Sequence, residues 1–161
     1  GNQGITASVP VAIYAQAMGI GRERLLRAVA LADLVTVHQK AGIGCLSAFC
    51  GATCAGCGAG AGIAYLLGGD YKAVAHTIVN ALAVVSGMVC DGAKPSCAAK
   101  ISSAIDAGIL GYELYCRGQE FLDGDGIIRK GVDNTIGNVG RMARSGMRET
   151  DRVILDIMCG C

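Results

Sequence analysis

Charge is scarce in this sequence. Of 161 residues only 17% are charged, and the formal net charge is +1. That balance offers neither the basic surface a nucleic acid partner needs nor the high charge and low hydropathy of a disordered tail, so no nucleic acid partner is expected. Tryptophan is absent, and five tyrosines and two phenylalanines are the only aromatic residues. Persuasive strand-like alternation, internal repeats and low-complexity linkers are missing as well. A membrane span is also missing. The longest uncharged run, Ala41 to Gly69, would be long enough, but its nine glycines and four cysteines argue against lipid. A second apolar segment, Ala73 to Cys90, carries His76 and Asn80 and has the one-sided periodicity of a buried helix. The chain opens on Gly1 with no basic and apolar leader, and it reads as a fragment or processed product.

Glycine, cysteine and aliphatic residues are what the sequence has in quantity. Hydrophobic residues make up 52% of it, with 25 glycines and nine cysteines. The length suits one domain with a real core. An odd number of cysteines in a long, helically patterned chain points to reduced thiols in the cytoplasm, some of them metal-binding, rather than to a secreted disulfide scaffold.

Periodicity predicts an all-α fold, a single compact domain over residues 1–161 with about seven helices and a Gly/Cys-rich loop. Ser8 and Pro10 suit the cap and first turn of a helix running to Gly19. A second helix, from Arg22 to Lys40, places Leu26, Ala30, Leu34 and Val37 on one face. The Gly/Cys-rich stretch then reads as a loop leading into a helix that ends at Leu67, before Gly68 and Gly69. Asp70 opens the next helix, where Val74, Ile78, Leu82, Val85 and Val89 recur at helical steps as far as Cys90. Gly92 and Pro95 make a tight connection, after which Ser96 can cap a helix with Ile101, Ile105, Ile109, Tyr112 and Cys116 on its core face. The Asp123-Gly124-Asp125-Gly126 turn lacks the further acidic ligands of a calcium loop. Two more helices are expected, from Lys130 to Arg144 and from Thr150, as cap, to Met158. Glycines inside helices read as sites of close helix approach.

The stretch AFCGATCAGCGAGAG, residues 48–62, invites three readings. A phosphate loop needs a preceding strand and GxGxxG or GxxxxGK[ST] spacing, and neither is present. Cys54 and Cys57 form a CxxC, but the βαβ setting of a thioredoxin-like redox pair is missing, and a zinc ribbon would need a second CxxC. The third reading joins distant residues. Cys90 and Cys97 flank a turn between two helices, and a thiolate from the glycine-rich stretch, 40 positions before Cys90, would complete a three-cysteine site of the kind that holds an iron–sulfur cluster with one iron open.

The segments GNQGITASVPV (1–11), GCGAGAGIAYLLGG (56–69), MVCDGAKPSCAAKI (88–101) and GNVGRMARSGMRETDRVILDIM (137–158) together resemble the C-terminal half of the L-serine dehydratase α-chain/L-cysteine desulfidase superfamily. CDGAKPSC is the most specific element, and the likeness is to a desulfidase-like branch. The resemblance implies a helical lyase domain holding a 4Fe-4S cluster on Cys50, Cys90 and Cys97. Cys45, Cys54 and Cys57 remain open as alternatives for the first ligand. The implied reaction is α,β-elimination without pyridoxal phosphate, from L-cysteine or L-serine, to pyruvate and ammonia, with sulfide in the first case. Implied partners are a small amino acid substrate, an N-terminal half in the same protein or a separate subunit, and further copies in a homo-oligomer. Asn2 and Gln3 are assigned to a loop near the substrate carboxylate, and Lys94 is a second candidate for catalysis. The tail, Cys159 and Cys161, could reach the open iron. The rival reading is a cluster- or metal-binding module without enzyme activity, or a structural helical domain whose cysteines are buried as small hydrophobic residues.

Overall fold

The computed structural model describes residues 1–160; Cys161 lies outside the described residues. Seven α-helices run along them: α1 (Asn2–Ala17), α2 (Arg22–Ile43), α3 (Gly51–Leu66), α4 (Tyr71–Val85), α5 (Cys97–Cys116), α6 (Val132–Arg141) and α7 (Arg148–Cys159), with a π-helical turn (Met142–Gly146) between α6 and α7. None is long and apolar enough to cross a membrane.

The organising element is α3. It is packed against α1, α2, α4 and α5, and every residue from Thr53 to Ala64 is buried. The Gly/Cys-rich stretch expected as a loop leading into a helix is therefore helical from Gly51 onward. Strict alternation of Gly56, Gly58, Gly60 and Gly62 acquires a meaning on a helix. Positions two apart differ by roughly 200° around the axis, so Gly56 and Gly60 share one side and Gly58 and Gly62 the other. The first pair faces α5: a Cβ on Gly56 would collide with the backbone of Ala104, and one on Gly60 would lie 2.7 Å from the Cα of Gly108. The second pair faces α2, where a Cβ on Gly62 would lie 2.9 Å from the carbonyl oxygen of Ala28. Around this axis lie two apolar clusters, one with Phe49, Ile78, Leu82 and Val139 against Cys54 and Cys57, the other with Val11, Ala28, Ala32 and Ile63.

Several boundaries differ from expectation. Helix α1 begins at Asn2, not Ser8, with Pro10 inside it. Pro10 cannot donate to the Thr6 carbonyl, but Ala7, Val11 and Ala15, one buried stripe, carry the helix through. Ser8 donates from its Oγ to the Gly4 carbonyl instead of capping. Asp70 does cap α4, accepting the Ala73 N–H at 2.9 Å. That helix ends at Val85 rather than near Cys90, because Met88–Cys90 pairs with residues 48–50. Ser96 is the N-cap residue of α5, but its side chain makes no capping bond. Thr150 sits within α7, which starts at Arg148 because the π-helical turn carries the backbone almost directly into it.

The buried faces of α2 and α5 also differ from expectation. On α2 the buried residues are Ala28, Ala32, Thr36, Gln39 and Ile43, whereas Leu26, Ala30, Leu34 and Val37 are exposed. On α5 they are Ala104, Ala107, Gly108 and Gly111, and Cys116, expected in the core, is exposed. Where α3 presents glycine, the facing residues of α2 and α5 are alanine, threonine or glycine, and the bulky apolar residues of those helices turn outward.

Candidate functional site

Two short extended segments bring Cys50 and Cys90 together. Phe49 and Val89 face each other as a single antiparallel bridge. On either side of it the Cys50 N–H donates to the Met88 carbonyl at 3.0 Å and the Cys90 N–H donates to the Ala48 carbonyl at 2.6 Å. Burial of Phe49 anchors this pairing. Beyond Cys90 the chain reverses at Gly92, whose φ of +86° disfavours a side chain. It then enters α5 at Cys97, whose sulfur receives the Lys94 N–H at 3.4 Å and lies 3.5 Å from the Gly92 carbonyl oxygen.

Cys50, Cys90, Cys97, Lys100, Asn2 and Gln3 line one recess of about 180 Å³. Cys50 is the N-cap residue of α3, Cys97 is the first residue of α5, and Asn2 and Gln3 are in the first turn of α1 rather than in a loop. Three helix N-termini therefore meet at the recess, and each favours negative charge nearby. Gln3 packs over Gly51, where a Cβ would collide with its carboxamide.

Lys100 supplies the fixed charge. Its Nζ donates to Asp91 Oδ1 at 2.5 Å and to the Val89 carbonyl at 3.0 Å. The Lys100 hydrogen bond holds the Asp91 carboxyl below its ordinary range, and Asp91 in turn raises the ammonium. Burial pushes the Cys50 thiol up, opposed by the Ala52 N–H and the Lys100 charge, while Cys90 and Cys97 push it further up. Lys94 contributes its N–H, whereas its side chain is exposed and the ammonium lining the recess is that of Lys100. Lys100 was legible in the sequence only as the residue one turn after Cys97 on the same face of the helix.

Cys54 and Cys57 lie elsewhere, fully buried in the apolar cluster beneath α4 and α6. Burial pushes the Cys54 thiol up to about 12 and that of Cys57 well above its ordinary value. Thiols held protonated in this way are poor metal ligands. Cys45 is exposed and does not line the recess. Cys159 is exposed at the end of α7, and a Cβ on Gly92 would lie 3.4 Å from Cε of Met158, so that end of α7 lies beside the recess. Among the described residues no three His, Cys, Asp or Glu side chains close on one point as the ligands of a single ion would. A cluster asks for something else, because each thiolate bonds a different iron and the sulfurs stand further apart.

The sequence profile described as serine dehydratase alpha chain matches residues 1–156. A UPF0597 protein of Desulfitobacterium hafniense is 62% identical over 158 residues, which cover 98% of this chain and 37% of the relative. A UPF0597 protein of Treponema denticola is 49% identical with the same coverage, and one of Bacteroides fragilis is 43% identical over 163 residues, covering 100% of this chain and 38% of the relative. No solved structure matches the sequence. The chain thus spans less than two-fifths of the length of these relatives, which carry a further part beside the region matched here. With the profile matched over nearly its whole length, the chain belongs to the serine dehydratase alpha chain family.

Proposed function

We propose that this chain is the cluster-bearing domain of a lyase that eliminates the β-substituent of a small L-amino acid, L-cysteine first and L-serine as the alternative. The observation that carries the reading is the convergence of Cys50, Cys90 and Cys97 on one recess at the N-termini of α3 and α5. The donor set fits a 4Fe-4S group. It consists of three thiols, with peptide N–H groups of Ala52 and Lys94 directed at two of the sulfurs and one ammonium nearby to offset thiolate charge. When bound, such a group would offer an iron free of protein thiolate as a Lewis acid for the substrate.

The chain's own residues have distinct tasks in this scheme. Lys100, held by Asp91 and the Val89 carbonyl, keeps the third N–H of its ammonium at the recess to donate to a substrate carboxylate. Asn2 and Gln3 place carboxamides beside it, able to donate to that carboxylate and to accept from the substrate ammonium. In the overall reaction the α-proton leaves as the Cβ–S or Cβ–O bond breaks, giving aminoacrylate. Tautomerisation and hydrolysis of aminoacrylate consume one water and yield pyruvate and ammonia, with hydrogen sulfide from cysteine; from serine the leaving group departs as water. The base and the remaining walls of the site are assigned to the further part that the relatives carry. All eight described cysteines are free thiols, which supports a reducing, cytoplasmic setting.

Full-length protein purified without oxygen and reconstituted with iron and sulfide tests the reading. Broad visible absorbance, lost in Cys50→Ser, Cys90→Ser and Cys97→Ser but kept in Cys54→Ala, together with pyruvate and sulfide release from L-cysteine, is the expected outcome. Absorbance that survives Cys90→Ser would sink the ligand assignment. A full cluster with reversible one-electron chemistry and no ammonia release from either amino acid would favour the non-enzymatic module.

A further inference from the structure

The geometry points to a second ligand site, a cavity of about 500 Å³ between the start of α4 and residues 121–132, which takes a small carboxylate with an apolar body. Its volume lies within the range of about 300–1,000 Å³ usual for small-molecule sites. Ala75, Val79, Phe121, Ile128 and Val132 give it apolar walls. Lys72, Arg129 and Lys130 give it cations, and these are not equally engaged. Lys72 has Glu120 at 3.9 Å, whereas among the described residues neither Arg129 nor Lys130 has a carboxylate within ion-pair distance.

Of the acidic groups nearby, Glu120 is engaged by cations, while Asp123 keeps its charge at the cavity. Asp123, which also lines it, accepts the Lys130 N–H at 2.9 Å through Oδ1, and Glu120 faces His76 and Lys72. The wall behind is fixed by the His76 ring stacked on Tyr115, with centroids 5.6 Å apart, while the buried Nδ1 of His76 has no hydrogen bond although Glu120 Oε2 is 3.3 Å away. Arg129, whose Nη1 also donates to the Ile128 carbonyl at 2.8 Å, and Lys130 outweigh Asp123 by one charge, and that excess over apolar walls selects one negative charge joined to a hydrocarbon body. A free phosphate would leave the apolar walls wet and offer nothing to them. The site is separate from the cysteine recess. Cys97 and Lys100 stand at the start of α5 and Glu120 follows its end, and a helix of 20 residues is about 30 Å long.

Isothermal titration of the full-length protein with 4-methylpentanoate tests the site, with 4-methylpentan-1-ol and inorganic phosphate as comparison ligands. Saturable binding of the carboxylate is expected, at least tenfold tighter than either comparison ligand and weakened at least tenfold by joint Arg129→Gln and Lys130→Gln substitution. Ala75→Leu, which fills the cavity from a half-buried position, should abolish binding while thermal unfolding stays unchanged. No saturable binding, equal binding of the alcohol or of phosphate, or an affinity indifferent to the charge substitutions would overturn the proposal.

Discussion

Replacing Gly60 with alanine tests whether the close approach of α3 and α5 holds this domain together. A Cβ at position 60 would lie 2.7 Å from both the Cα and the carbonyl oxygen of Gly108 and 2.8 Å from its carbonyl carbon. These are backbone atoms and cannot rotate aside, so the helices must separate. Helix propensity alone would favour the alanine by about 0.5–1 kcal/mol, while overpacking a tight core costs about 1–3 kcal/mol and more where the backbone must move. The net expectation is a loss of about 2 kcal/mol, or a fall in Tm of roughly 4–8 °C for a chain of this size. Gly137 provides the internal control: it lies in α6 with nothing within 4 Å of an added Cβ, so Gly137→Ala should gain about 0.5–1 kcal/mol. Urea denaturation followed by far-UV circular dichroism measures both. A Gly60→Ala protein as stable as the wild type would refute the packing argument. Since Cys50 caps α3 and Cys97 opens α5, Gly60→Ala should also lower the iron retained after anaerobic reconstitution.

Cys54 titrates near 12 in the folded chain against an ordinary value of 9.0, so its contribution to stability is complete below pH 9 and is lost between pH 9 and about 12. At pH 10 that loss is on the order of 1 kcal/mol, and urea denaturation at pH 7 and pH 10 should show a Cys54→Ala variant losing less than the wild type over the same interval. Iodoacetamide at pH 8 should label the exposed Cys45, Cys116 and Cys159 and leave Cys54 and Cys57 unmodified until urea unfolds the chain, as mass spectrometry of the digest would show. Lys100→Met removes the ammonium from the recess, and it should raise KM for L-cysteine at least tenfold while Lys94→Met changes it less than twofold; equal effects of the two would reject the division of labour between these lysines. The exposed pair of His38 and Asp133, at 2.9 Å between α2 and α6, should matter little, with Asp133→Asn costing at most about 1 kcal/mol and less in high salt.

The helical content was legible because Val74, Ile78 and Leu82 keep the period of a helix, with Ile78 and Leu82 buried and Val74 packed half-buried against the same cluster. The outward face of α2 was not, because the ordinary rule turns the large aliphatic residues inward. Leu34 is 67% exposed and Val37 63%, while Ala28 and Ala32 are fully buried. The reason lies in another segment of the chain: the side of α3 bearing Gly58 and Gly62 is met on α2 by Ala28, Ala32 and Thr36, at distances that leave no room for a leucine. A pattern read one helix at a time does not carry that information. The same holds for Pro10, which is a good first-turn residue on local grounds and is overruled by the stripe of Ala7, Val11 and Ala15. Cys90 and Cys97 stood out because one short turn separates them, and Cys50 stood out less because its partner is 40 residues away and the two are joined only by paired backbone hydrogen bonds.

The glycines and the cysteines are parts of one arrangement. Cys50 is fixed at the start of α3, and Cys97 at the start of α5, so the distance between their sulfurs depends on how closely those helices cross. That crossing is set at Gly56 and Gly60 against Ala104 and Gly108, along the buried length of both helices. Cys90 is then fixed to Cys50 by the bridge between Phe49 and Val89 and to Cys97 by the turn through Gly92. A wider helix separation would leave all three thiols in place in the sequence yet spread them at the recess. The neighbouring CxxC pair, Cys54 and Cys57, lies along the buried length of α3 itself, where its thiols fill space against Ile78 and Leu82 and have no access to a ligand. On a fully buried helix, the cysteine at the cap is the one left free to bind.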